Sequence, residues 1–248
     1  MTSTLYTTEH IVAAELATHA GDFLLEMRAG GLQGEALKEA GDRASHDILV
    51  AGLQERFPAD AVLSEEGRDD PARLRCRRVW IVDPVDGTRE FSERGRDDWA
   101  VHVALAVDGT VVAGAVALPS LGVTVSTASP PRPPPVTCRS PRIVVSRTRP
   151  PIQAYLLRDY LDGELVAMGS AGAKAMAVAR GEADIYAHAG GQYEWDSAAP
   201  AAVAAAAGLH VSRLDGSPLV YNQFDPWLPD LLVCRADLAH SIIGLQLK

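Results

Sequence analysis

Mixed α and β structure in two halves is predicted by three features of this 248-residue chain. Two long stretches of helical periodicity open it. Five short β-rich runs then follow in close succession up to about residue 127. After a proline-rich seam, strand and helix patterns alternate almost to the end. Mostly antiparallel strands followed by alternating units point to two sheets sandwiched by helix layers, an α/β (α+β) architecture.

The elements follow in chain order. Helical patterns are predicted over roughly Glu9 to Ala29 and Ala44 to Arg56. Strands are predicted near Ala61–Ser64, Val79–Val82, Ala100–Val107, Thr110–Ala117 and Gly122–Thr127. Ala106-Val-Asp-Gly-Thr110 carries the Asp-Gly pair of a tight hairpin. Ser129-Pro-Pro-Arg-Pro-Pro-Pro135 can be neither helix nor central strand and reads as an extended crossover. It divides the chain into residues 1–135 and 136–248. The second half is predicted as strand Arg142–Val145, helix Ile152–Tyr160, strand Leu165–Met168, helix Ala173–Arg180, strand Ala183–Tyr186 and helix Ser197–Ala207. Strands near His210–Ser212 and Leu231–Cys234 close it.

With 47% apolar residues the chain can bury a large core. Its net charge of −9 argues against a nucleic acid polymer or an anionic membrane as partner. A small phosphorylated molecule stays open, because bound cations can hold a polyanion on an acidic protein. Residues 1–10 carry no signal-peptide pattern, and no apolar run approaches the ~20 residues of a membrane span. Cys76, Cys138 and Cys234 are odd in number and far apart, as reduced thiols of a cytoplasmic protein would be.

The chemistry concentrates at Asp83-Pro-Val-Asp-Gly-Thr88, directly after the apolar run Val79–Val82. A buried strand ends there and throws two carboxylates, three residues apart, into a turn. Pro84 ends the ladder, and Gly87 permits a backbone that other residues resist. Gly87 and Thr88 would present amides to an anion. Carboxylates for hard cations beside amides for an anion suit metal-assisted phosphate chemistry. An ordinary Asp-Gly turn with a capping aspartate fits the same six residues. Two more acidic sites bear on the choice. Glu65 and Glu66 follow the short strand Ala61–Ser64, and Asp196 stands where an alanine-rich helix begins, so an N-cap or first-turn role is its default. Glu65, Asp83, Asp86 and Asp196 could together make a two-metal cage.

Glu65-Glu66, Asp83-Pro-Val-Asp86-Gly-Thr88 and Trp195-Asp196 resemble, in order and spacing, the inositol monophosphatase superfamily of metal-dependent, lithium-sensitive phosphatases. The resemblance runs over most of the chain. Gly87-Thr-Arg-Glu-Phe91, Gly169-Ser-Ala-Gly-Ala-Lys174 and Trp195-Asp-Ser-Ala-Ala-Pro200 are most similar to its CysQ branch, the 3′-phosphoadenosine 5′-phosphate (PAP) phosphatases of sulfur metabolism. The resemblance implies a layered α/β/α/β/α sandwich of the fructose-1,6-bisphosphatase type and a cofactor of two Mg²⁺. It implies Glu65, Asp83 and the Val85 carbonyl on the first ion, and Asp83, Asp86 and Asp196 on the second. Glu65 and Thr88 would orient the attacking water, and the Gly87 and Thr88 amides would hold phosphate oxygens. A third Mg²⁺ would fall at Asp42, which matches an aspartate of a Thr-x-x-Asp element whose threonine is missing here. Asp42 as a helix N-cap fits equally, and Lys38 reads as a surface lysine.

Substrate contacts are expected from Ser170, Lys174, Arg147 and Tyr193. Lys174 at the start of a helix is misplaced relative to the dipole unless an anion sits there. Arg147 would aid phosphate or a subunit contact, and Tyr193 would stack on a base or merely pack. His102 and His188 read as ordinary polar residues. The implied activity is hydrolysis of the 3′-phosphate of PAP to AMP. The alternatives are a broader inositol phosphate or fructose 1,6-bisphosphate phosphatase, and a metal-dependent binding module without turnover. The family often forms homodimers, and nothing in the sequence forbids one.

Overall fold

Val79–Val82 is apolar without alternation because its strand is buried on both faces. Trp80 and Val82 face one hydrophobic cluster, and Val79 and Ile81 face another. The computed structural model describes residues 6–133, 140–245 and 247. Within them, two five-stranded sheets are layered with helices. The first sheet runs β1 (Ala61–Ser64), β2 (Arg78–Asp86), β3 (Ala100–Val107), β4 (Thr110–Leu118) and β5 (Val123–Ser126), in that order. β1 pairs parallel to β2, and the rest are antiparallel. The second sheet has the order β7-β6-β8-β10-β9. It is built from β6 (Arg142–Ser146), β7 (Glu164–Met168), β8 (Ile185–Tyr193), β9 (His210–Ser212) and β10 (Trp227–Cys234). β6 pairs parallel to β7 and β8, and β10 pairs antiparallel to β8 and β9.

Three hydrophobic clusters define the layers. Helices α1 (Thr7–Ala29) and α2 (Gly34–Arg56) cover the outer face of the first sheet through Leu16, Leu24, Leu49 and Leu53. Helices α5 (Ala171–Ala179) and α6 (Glu194–Ala206) lie between the two sheets with Met176, Val178, Ala199 and Val203. Helices α4 (Ile152–Leu161) and α7 (Ala236–Ile243) close the far side with Leu157 and Ile242. The expected α/β/α/β/α sandwich is therefore present, with the short helix α3 (Thr88–Ser92) at the end of β2.

The hairpin expected at Asp108-Gly109 joins β3 to β4, and both residues have positive φ, 50° and 79°, as a type I′ turn requires. Other boundaries move. α2 begins at Gly34, ten residues before the expected start, so Asp42 is in mid-helix and cannot be an N-cap. Residues 35–40 are good helix formers, and Gly41 is there for closeness. A Cβ on it would lie 2.5 Å from the Phe91 ring. β2 continues through Pro84 to Asp86, because a register shift between Asp83 and Asp86 removes the need for a ladder donor at the proline. β8 and β10 run longer than expected, α6 begins at Glu194, and α7 was not expected at all. The proline-rich seam shows no regular structure from residue 130 to 133. Its last residues, the boundary at 135/136 and Cys138 lie outside the described residues. Among the described residues no helix is long and apolar enough to cross a membrane.

Candidate active site

Asp83 and Asp86 stand on either side of the kink that Pro84 puts at the end of β2. The Pro84 carbonyl is held by the buried Ser45 hydroxyl at 2.7 Å, which pins this kink to α2. Asp196 comes from the first turn of α6, in the middle layer. Asp83, Asp86 and Asp196 each bring a carboxylate oxygen within 4.8 Å of the others. Protein donors fix each carboxylate. Asp83 Oδ1 accepts the Val85 amide at 3.1 Å, Asp196 Oδ2 accepts the Tyr193 amide at 2.6 Å, and Asp86 accepts Ser170 Oγ and the amides of Ala171 and Gly172. Asp83 and Asp196 are thereby oriented toward a common point, a donor set suited to a hard divalent cation. Glu65, one residue beyond β1, joins them through a hydrogen bond with Asp83.

Crowding shows in the proton affinities. Burial, together with the charges of Glu65, Asp86 and Asp196, raises Asp83 well above the usual carboxylate range. Burial and then Asp196 raise Glu65 to about 7, although its outer face opens to the cleft. Burial and Asp86 raise Asp196 to about 6. For Asp86 burial acts in the same direction, but His102, Ser170 and Lys174 outweigh it and hold the group at about 2. A cluster that carries excess protons near neutrality is one that a cation can relieve.

These groups face a cleft of about 510 Å³. Gly87, at φ 87°, turns the chain into α3. A Cβ there would lie 3.1 Å from the Ser170 Cβ, so both conformation and space require glycine. The Thr88 hydroxyl lies 3.1 Å from the Val85 carbonyl and hydrogen-bonds Asp42. Burial and the charges of Glu66 and Glu35 raise Asp42 to about 7. Asp42 thus enters the site from α2, as a partner of Thr88.

The expected substrate contacts have other partners. Ser170 Oγ lies 2.5 Å from Asp86 and caps α5 at the Ala173 amide. Lys174 is buried, with Nζ 2.6 Å from the Ser170 carbonyl and 3.1 Å from that of Gly169, and 5.3 Å from the centre of the Tyr186 ring. Arg147 is tied to Asp98 at 2.8 Å, and Arg96 and the Gly169 amide meet the same carboxylate. Tyr193 is 45% exposed and stacks on Trp195 at 4.7 Å and 11°. Arg89 and Arg149 line the cleft, and neither has a carboxylate within salt-bridge distance among the described residues.

Sequence reasoning missed the buried Asp98, and its reading of His102 as an ordinary polar residue is corrected by the burial of that ring against Asp86. His102 lies on β3 opposite Asp83, with Nε2 3.2 Å from Asp86 Oδ2 and Nδ1 3.0 Å from the Trp195 carbonyl. Burial opposes its charge, but Asp86 and the Trp195 carbonyl prevail and raise its proton affinity. A histidine in a strand with no ligand spacing carries no signal until the pairing of β2 with β3 is known.

An acidic triad between two sheets, opening on a cleft with free guanidinium groups, defines a layered sandwich protein able to hold cations against an anionic ligand. Comparison with known proteins agrees. A sequence profile described as the inositol monophosphatase family matches residues 1–242. A relative in Mycobacterium leprae named 3′-phosphoadenosine 5′-phosphate phosphatase is 53% identical over 96% of this chain and 93% of its own. One in Escherichia coli K12 named 3′(2′),5′-bisphosphate nucleotidase CysQ is 33% identical over 86% and 94%. The crystal structure of CysQ from Bacteroides thetaiotaomicron superposes with a TM-score of 0.80 at 27% identity, covering 94% of this chain and 99% of that one. The chain belongs to the inositol monophosphatase family.

Proposed function

We propose that this protein is a Mg²⁺-dependent phosphomonoesterase that removes the 3′-phosphate of PAP, giving AMP and phosphate. The observation that carries this reading is the triad of Asp83, Asp86 and Asp196 at a cleft also lined by Arg89 and Arg149, which meet no carboxylate among the described residues. The names of the M. leprae and E. coli relatives supply the nucleotide. Glu65, Asp83 and the Val85 carbonyl would hold one Mg²⁺, and Asp83, Asp86 and Asp196 a second. When bound, the ions supply an acidified water and charge neutralisation at the leaving oxygen. The protein's own part is to orient and to move protons. Asp42 fixes the Thr88 hydroxyl, and Thr88 with Glu65 orients the water and takes its proton. This use of Asp42 replaces a third ion there. The Gly87 and Thr88 amides hold phosphate oxygens, and Tyr193 on Trp195 offers a flat surface to the base. No covalent intermediate is needed: no cysteine lines the cleft among the described residues, and the Ser170 and Thr88 hydroxyls are engaged by Asp86 and by Val85 and Asp42. In this scheme residues 1–135 give most metal ligands, and residues 136–248 give Asp196 and further substrate contacts. A cytoplasmic setting fits the free Cys76 and Cys234, and homodimer formation fits the family.

The second phosphate of PAP needs its own cation. Lys174 and Arg147 are engaged within the protein, and they contribute field and structure. Arg149, with Arg89 beside the Thr88 turn, is free to make the contact. Charge-assisted contacts contribute roughly 1.5–3 kcal/mol. Arg149→Gln should therefore lower kcat/KM on PAP about 10- to 100-fold and leave 3′-AMP, which lacks the 5′-phosphate, nearly unchanged. Steady-state rates of the wild type on PAP, 3′-AMP and inositol 1-phosphate, with Mg²⁺ and with chelator, test the function itself. No turnover of PAP in Mg²⁺, or full turnover in chelator, would overturn it.

A further inference from the structure

Asp86 is held from two directions, by three hydrogen-bond donors on one side and by a facing imidazole on the other. Ser170 Oγ at 2.5 Å and the Gly172 amide at 2.6 Å reach Oδ2, and the Ala171 amide at 3.0 Å reaches Oδ1. These three come from the first turn of α5. The fourth contact comes from the opposite side, where His102 Nε2 lies 3.2 Å from Oδ2. The imidazole is fully buried, and Nε2 makes no well-aligned hydrogen bond; the Asp86 carboxylate is the charge it faces. Its Nδ1 lies 3.0 Å from the Trp195 carbonyl, the residue that adjoins Asp196. A carbonyl only accepts, so Nδ1 donates there. One rigid ring thus spans from the carboxylate of Asp86 to the backbone that carries Asp196.

The room for this ring is made by a missing side chain. A Cβ on Gly172 would fall 2.0 Å from His102 Nε2, 2.9 Å from its Cε1 and 3.1 Å from Asp86 Oδ2. Gly172 is the second residue of α5, within its first turn. Its φ is not positive, so the backbone conformation does not demand glycine. Space for the imidazole does.

We infer that His102, seated against Gly172, is a positioning residue of the cation site: it fixes Asp86 relative to Asp196, so that carboxylates carried by a sheet and by a separate helix meet at one point. The inference rests on the triad being that site. Partners that orient metal ligands typically change metal affinity 10- to 100-fold when removed.

Mn²⁺ binding, followed by the loss of the free-ion signal in electron paramagnetic resonance, reads this without turnover. Circular dichroism selects the folded variants. His102→Ala should weaken Mn²⁺ binding at least ~10-fold. Two amide replacements separate the contacts. The longer Gln side chain carries its amide to the place of Nε2 and keeps the Asp86 contact. Asn carries its amide to the place of Nδ1 and keeps only the Trp195 contact. His102→Gln should stay within roughly 3-fold of wild type, and His102→Asn should resemble His102→Ala. Gly172→Ala, which displaces the ring, should weaken binding as well. Wild-type affinity in Gly172→Ala and His102→Asn, or tighter binding by Asn than by Gln, would overturn the assignment. Wild-type protein that binds no Mn²⁺ would remove the site itself, and is distinguishable from both.

Discussion

Thr88 carries two separable functions on one residue, an amide and a hydroxyl. The hydroxyl lies between the Val85 carbonyl and Asp42. Thr88→Ala deletes it and leaves the amide. If the hydroxyl orients water, kcat should fall about 100-fold with KM changed by less than ~3-fold. Asp42→Asn should move kcat in the same direction and by less, since the hydroxyl would remain. Steady-state kinetics on PAP at saturating Mg²⁺ check both, and a raised KM with intact kcat would make Thr88 a binding residue only. Asp83, Asp86 and Thr88 were legible because they share six consecutive residues. Asp42 was legible as an acid but not as a mid-helix residue, since an aspartate just ahead of an expected helix reads equally well as its N-cap. Asp98 and His102 were not legible. The contacts that tie them to the second half of the chain, Arg147 and Gly169 for one and Trp195 for the other, are 49 to 93 residues away in sequence.

At the scale of elements, α6 explains its own alanines. It packs on β2, β3 and β4 on one side and on β8, β9 and β10 on the other. A helix with a sheet on each face needs short side chains all round. Gly114 of β4 lets it approach closely, because a Cβ there would lie 3.3 Å from the Ala199 Cα. Ala199→Leu inserts a branched side chain where Ala199 is fully buried. Overpacking of this kind typically costs about 1–3 kcal/mol. A lower urea midpoint is the expected result, and an unchanged one would mean that the sheets part freely. The same principle governs the helix glycines. A Cβ on Gly21 would strike Pro119, and one on Gly52 would strike Leu16. Such glycines are notches for a neighbour and are compatible with helix interiors.

At the scale of the whole molecule, stability is tied to pH through the site, where four carboxyls are raised above their unfolded values: Asp83, Glu65, Asp196 and Asp42. A raised carboxyl contributes stability that is fully present below its unfolded value near 4. That stability is lost as pH rises through the folded value, here about 6 to 7 for Asp196, Glu65 and Asp42. Asp86, lowered to about 2, acts oppositely, but its contribution is lost only as pH falls from about 4 toward 2. Between pH 5 and 8 the chelated protein should therefore lose melting temperature from this cluster. Mg²⁺ takes the place of the protons, so the rise in Tm that it produces should be larger at pH 8 than at pH 5. Calorimetry with and without chelator at both values checks this, and an equal rise at both would count against the cluster as the cation site. The five-layer order was legible from the alternation of elements and the resemblance. The contact between layers was not, because it depends on which face of each strand meets which helix.

All nine residues of α5 are buried, and the first three donors to Asp86 come from its opening turn. The carboxylate is therefore anchored to a part of the molecule that cannot loosen unless the two sheets separate. The entropy of arranging the site is lost once, when the chain folds, and not again in each catalytic cycle. Cations and substrate then meet dipoles already oriented, so little reorganisation accompanies the movement of charge during phosphate transfer. The same anchoring makes the cleft intolerant of improvised ligands, since Asp86 has no freedom to follow an ion that sits elsewhere.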